Sequence, residues 1–105
     1  MKFACQLNDI LPGTGVCALI EGRQIALFRP SDAAEVFAID NRDPFFAANV
    51  LSRGLVCEHE GELWVASPLK KQHFRLSDGH CFENPAMSIA SYAVEVRDQQ
   101  VWVAV

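Results

Sequence analysis

Four times along the chain, a short apolar run meets a polar turn and then a second apolar run. "GVCALI" (Gly15 to Ile20) and "QIALFR" (Gln24 to Arg29) flank Glu21-Gly22-Arg23. "LVCEH" and "LWVAS" flank Glu60-Gly61-Glu62, "HFRL" and "HCFE" flank Ser77-Asp78-Gly79, and "SYAVEVR" and "VWVAV" flank Asp98-Gln99-Gln100. Runs this short, rich in β-branched and aromatic residues and punctuated by Gly and Asp, read as β-hairpins. "EVFAID" (Glu35 to Asp40) adds a strand. In the last hairpin Tyr92, Val94 and Val96 alternate with Ala93, Glu95 and Arg97, the period of two of a half-buried antiparallel strand. Helical signals are weak: Ser31 to Ala34 and Asn49 to Ser52 suffice for one turn each, too short to stand alone. The expectation is an all-β chain, an antiparallel sandwich or barrel-like fold.

The chain has 105 residues, the length of one domain spanning 1–105, and half of them are hydrophobic, enough for a modest core. Its net charge of −4 argues against a nucleic-acid partner, which needs a basic patch to offset phosphate. The local basic spot at Lys70 and Lys71 suits a protein partner better. The start, "MKFACQLNDILPG", is broken by Gln6, Asn8 and Asp9 and so lacks the apolar core of a secretory signal. No apolar stretch approaches the ~18–20 residues of a membrane span. A cytoplasmic location is expected. The four cysteines, Cys5, Cys17, Cys57 and Cys81, are then expected as reduced thiols.

No catalytic constellation is present. There is no Gly-x-Ser-x-Gly elbow and no phosphate-cradling glycine loop. Asp9, Asp32 and Asp40 stand near turns, where capping is their plain role. Cys57-Glu58-His59 puts a thiol and an imidazole two residues apart, on one face of a strand. His80-Cys81 places its members on opposite faces. A zinc site from Cys57, His59, His73 and Cys81 lacks normal ligand spacing.

Two segments are longer than turns: "DNRDPFFAANVLSRG" (Asp40 to Gly54) and the loop opening at "SPLKKQ" (Ser67 to Gln72). Loops of this kind on a rigid sheet scaffold often carry function. From Ile10 onward, their order and spacing resemble the Rieske domain. That family runs from a strand to Cys-x-His, then a leucine and glycine, a hairpin, Cys-Pro-x-His, a Phe-x-Leu strand and a glycine turn. Here "VFAIDNRDPF…VLSRG" and "SPLKKQHFRLSDG" occupy those places. The resemblance implies a Rieske-like fold. It also implies that the ligand positions have changed: Asp43-Pro44-Phe45 stands for Cys-x-His, and Ser67-Pro68-Leu69-Lys70 for Cys-Pro-x-His. A Rieske cluster needs two thiolates on one iron and two imidazoles on the other. Asp43, Phe45, Ser67 and Lys70 are thus degenerate ligand positions, and no cofactor or metal is expected in this chain. An Asp43–Lys70 ion pair and the rings of Phe45 and Phe46 are the expected substitutes for the metal bridge.

"DPF", "VLSRG" and the string "SPLKKQ-x-F-x-L-x-x-G" are similar, more narrowly, to the small subunits of bacterial assimilatory NAD(P)H-dependent nitrite reductases. What this resemblance implies is a non-catalytic subunit. Its partner large subunit would hold FAD, an iron–sulfur cluster and sirohaem and reduce nitrite to ammonium. Arg42, Phe45, Phe46, Lys70 and Lys71 are the candidate interface, because aromatic residues and arginine are enriched at interface hot spots. Two alternatives remain at this stage. One is a Rieske-type ferredoxin with atypical ligands such as Cys57, His59 and Cys81; the other is a free-standing interaction domain.

Overall fold

The computed structural model describes all 105 residues, Met1–Val105. The strands are β1 (Lys2–Gln6), β2 (Thr14–Ile20), β3 (Arg23–Arg29), β4 (Phe37–Asp40), β5 (Arg42–Asp43), β6 (Ala48–Asn49), β7 (Leu55–His59), β8 (Glu62–Ala66), β9 (His73–Arg75), β10 (Ser91–Tyr92), β11 (Val94–Arg97) and β12 (Gln100–Val103). Single 3-10 turns cover Leu7–Asp9, Leu51–Arg53 and Pro85–Met87.

The middle layer is the antiparallel sheet β10-β4-β3-β2, and β3 organises it. From Ile25 to Arg29 every residue of β3 is buried, because the strand is covered on both faces. Ile25 and Leu27 join Leu7, Ile10, Val101 and Val103 in one core against the sheet β1-β12-β11. Ala26 and Phe28, on the other face, join Ile39, Leu51, Val65, Phe74, Leu76 and Cys81 in a second core against the sheet β7-β8-β9. Each fully buried Leu, Ile or Phe contributes roughly 1.5–3 kcal/mol. Arg29 ends the run at 8% exposure, its guanidinium donating to the carbonyls of Ile10, Asp32 and Ala33.

The all-β, Rieske-like expectation holds, with differences in detail. β1 was not expected; a register shift between Phe3 and Cys5 spoils its alternation. The run from Ser91 to Arg97 keeps its alternating burial but changes partner at Ala93, because it passes from one layer to another. Ser91 and Tyr92 pair with β4, whereas Val94 to Arg97 pair with β12. The hairpin around Ser77-Asp78-Gly79 narrows to a single Phe74–Cys81 bridge beyond β9. Asp78 closes that turn, accepting from the Arg75 guanidinium and the His80 N–H. Of the two expected helical turns, the one at Asn49 to Ser52 is realised as Leu51–Arg53. Ser31 to Ala34 forms only bends, and Arg29 occupies two of its carbonyls.

Candidate functional site

The two long loops meet at one end of the second core. In the first, β5 and β6 form a minimal hairpin, with Arg42 opposite Asn49 and Asp43 opposite Ala48. Asn41, 1% exposed, braces its base: Oδ1 accepts from the Ser52 N–H at 2.7 Å and its carbonyl accepts from the Leu51 N–H at 3.0 Å. Gly54 closes the loop against the Ala66 carbonyl and the Val65 side chain, where a Cβ has no room. The second loop is closed by the Ser67 N–H donating to the Gln72 carbonyl at 2.8 Å. At its tip Lys70 and Lys71 are both left-handed, with φ of 56° and 60°. That backbone disfavours any residue with a Cβ.

Asp43 and Ser67 join the loops. Asp43 is fully buried and Ser67 is 1% exposed. Ser67 Oγ donates to Asp43 Oδ2 at 2.5 Å. Each side chain also folds its own loop: Asp43 Oδ1 accepts from the Phe45 N–H at 2.8 Å, and Ser67 Oγ accepts from the Leu69 N–H at 3.2 Å. These are the side-chain-to-backbone turns that Asp and Ser favour. A charge-assisted O–H···O⁻ bond is short and about twice as strong as a neutral one.

The expected Asp43–Lys70 ion pair is not formed. Both Asp43 oxygens are already used inside the molecule, while Lys70 is exposed on a left-handed tip. The phenylalanines divide. Phe45 packs against the second core, its ring edge-on to Phe74 with centroids 6.4 Å apart. Phe46 is 43% exposed. Arg42, Lys70 and Lys71 are exposed as well, so of the five residues only Phe45 is drawn inward.

A two-iron cluster does not fit this donor set. A buried carboxylate and a hydroxyl bonded to each other, a phenyl ring in the core and an exposed ammonium stand where two thiolates and two imidazoles are required. The other proposed ligand sets also fail to converge. Cys81 is fully buried in the second core, whereas Cys57 and His59 line an open groove of about 360 Å³ with Trp64, His73, Phe82 and Glu83. His73 is engaged there, its N–H donating to Glu83 Oε1 and Nδ1 lying 2.6 Å from Glu83 Oε2. No three His, Cys, Asp or Glu residues are placed to hold a metal ion. Burial raises the Glu83 pKa, but the His73 N–H and ring outweigh it and hold the carboxylate below its ordinary range. Burial pushes the Cys57 thiol up, away from a reactive thiolate.

Two contributors escaped the sequence reading. Asn41 sits unmarked within a polar run, and only its burial reveals its bracing role. Arg53 lies within the "VLSRG" string; it closes the Leu51–Arg53 turn, is exposed and precedes Gly54, which abuts the Ala66 carbonyl.

Comparison with known proteins follows the same lines. The Rieske-like [2Fe-2S] domain family matches residues 2–104. The nitrite reductase (NADH) small subunit of Salmonella typhimurium is 64% identical over 94 residues, which are 90% of this chain and 87% of that one. The NMR structure of the Escherichia coli protein NirD superposes with a TM-score of 0.90 at 58% identity, covering 97% of this chain and 93% of that one. The nitrite reductase [NAD(P)H] large subunit of Klebsiella oxytoca is 43% identical over 99 residues, which are 94% of this chain but 10% of that protein. No helix here is long and apolar enough to cross a membrane. With an all-β Rieske-like architecture, a donor set unsuited to the cluster and this identity across nearly its whole length, the chain belongs to the nitrite reductase small-subunit family within the Rieske-like domains.

Proposed function

We propose that the chain is the non-catalytic small subunit of an NAD(P)H-dependent nitrite reductase. In this reading it docks on the large subunit through the end formed by its two former cluster loops. The reduction of nitrite to ammonium, with FAD, an iron–sulfur cluster and sirohaem, belongs to the large subunit. The small subunit stabilises or positions it.

The observation that carries this reading is the Asp43–Ser67 bond. It joins the two loops directly and uses both Asp43 oxygens inside the molecule, which supports a loop face held by side chains. Loops fixed on a sheet scaffold in this way suit recognition. The Klebsiella oxytoca large subunit supports the pairing, because a stretch of that polypeptide resembles nearly all of this chain. There the two modules are covalently joined.

Co-purification tests the docking. Lys70→Glu with Lys71→Glu should fold normally and lose most of its retention on the tagged large subunit; undiminished retention counts against the loop face. Iron analysis and a visible spectrum on protein purified without oxygen test the absence of a centre. Colourless, iron-free protein is expected, and a brown, iron-loaded one overturns that half of the reading.

A further inference from the structure

The charge on the loop face is segregated from the rest of the molecule. The chain holds nine Lys and Arg against thirteen Asp and Glu. Five of the nine have a partner. Lys2 pairs with Glu21 and Arg97 with Glu95. Arg75 pairs with Glu62 and Asp78. Arg23 donates to the Tyr92 hydroxyl, and Arg29 donates to backbone carbonyls. The four without an ion pair or side-chain hydrogen bond are Arg42, Arg53, Lys70 and Lys71, all exposed. All four lie in the two loops. Between Asn41 and Cys57, and between Val65 and Leu76, the sole acidic residue is Asp43, which is buried and bonded to Ser67.

A protein of net charge −4 therefore carries, on its two long loops, four free positive charges and no exposed negative one. Like charges on joined loops repel one another when no counter-charge is at hand, and an opposite charge on a partner relieves that repulsion. The aromatic Phe46, 43% exposed on the neighbouring hairpin, supplies an apolar anchor beside the charges.

We propose that the surface receiving this face is a carboxylate-rich patch of the large subunit, and that attraction between the two steers the subunits together. This rests on the docking reading above and gives the partner surface its chemistry. Opposite potentials across an interface raise association rates by about 10–10³-fold and fix orientation, and salt screens them. The orientation follows as well: the remaining surface of this chain is acidic and is repelled by the same patch, so other faces are disfavoured.

The test is the association of the whole chain with purified large subunit, followed kinetically from about 50 to about 500 mM NaCl, where the screening length shrinks severalfold. The association rate should fall at least about ten-fold over that range. Arg53→Gln with Lys71→Gln should lower the low-salt rate and flatten the salt dependence, with thermal unfolding unchanged. Phe46→Ala should speed dissociation and leave the salt dependence intact. Binding that needs Phe46 but ignores salt and the charge variant overturns the acidic patch and leaves the docking face standing. Binding unaffected by either variant and by salt overturns the docking face itself.

Discussion

The Asp43 carboxylate places one oxygen on Ser67 Oγ and the other on the Phe45 N–H, so a single residue folds its own loop and ties it to a residue 24 positions away. In a cluster-bearing relative of this architecture a metal centre would bridge the two loops. Here a hydrogen bond between two buried side chains does so. The bond is strong because both partners are out of water, and removing either strands the other.

Ser67→Ala should therefore cost about 1–3 kcal/mol, the penalty for a buried acceptor left short of its donor. For a chain of this size each kcal/mol lowers Tm by about 4 °C or more. Chemical denaturation of Asp43→Ala, Ser67→Ala and the double variant checks it. The double variant should lose less than the sum of the singles, and strict additivity would mean that the two side chains are not coupled.

Phe45 and Phe46 should separate stability from association. Phe45→Ala removes a ring packed on Phe74 and should destabilise the fold by about 2–3 kcal/mol. Phe46→Ala should stay within about 0.5 kcal/mol of the parent in denaturant, as an exposed site does. A loss at Phe46 as large as that at Phe45 would place both rings in the core.

Lys71→Gly should stabilise the isolated chain slightly, by up to about 1 kcal/mol, because glycine enters the left-handed region without the Cβ penalty. A lower melting midpoint than the parent would show that Lys71 makes a contact the loop depends on.

Acid should weaken the fold through Asp78 and Glu83. Hydrogen bonds from Arg75 hold the Asp78 carboxylate below its ordinary 3.8, and those from His73 hold Glu83 below its ordinary 4.5. A carboxyl depressed in the folded state contributes stability that is complete above its ordinary value. That contribution is lost as pH falls through the folded one. Stability should fall as pH drops below about 4.5, and Glu83→Gln should show a shallower decline there. An unchanged slope in that variant would remove Glu83 from the acid response.

Gly54→Ala should be among the most damaging single changes, since its methyl would meet the Ala66 carbonyl and the Val65 side chain. Overpacking of this kind costs about 1–3 kcal/mol, and far-UV dichroism with thermal unfolding reads it directly. A midpoint equal to the parent's would mean the loop shifts freely at this position.

The sequence by itself determined most of the strands, though not β1 or the short β5 and β6, together with the hairpin turns and the change of residue type at the four ligand positions. All of these are local: alternation has a period of two, turns need Gly or Asp, and a phenyl ring cannot ligate iron. It did not determine the partner of Asp43. Asp next to Pro reads as a turn former, and a nearby lysine is its obvious mate until burial is known. Tertiary structure chose Ser67, because Asp43 and Ser67 are both sealed from solvent while Lys70 stays outside. It also decided that Phe45, in the turn between β5 and β6, packs on the core while Phe46 faces solvent, a division that turn residues do not announce by any period. Which side chains are buried together, and which charges are left without a partner, are properties of packing between segments distant in the chain.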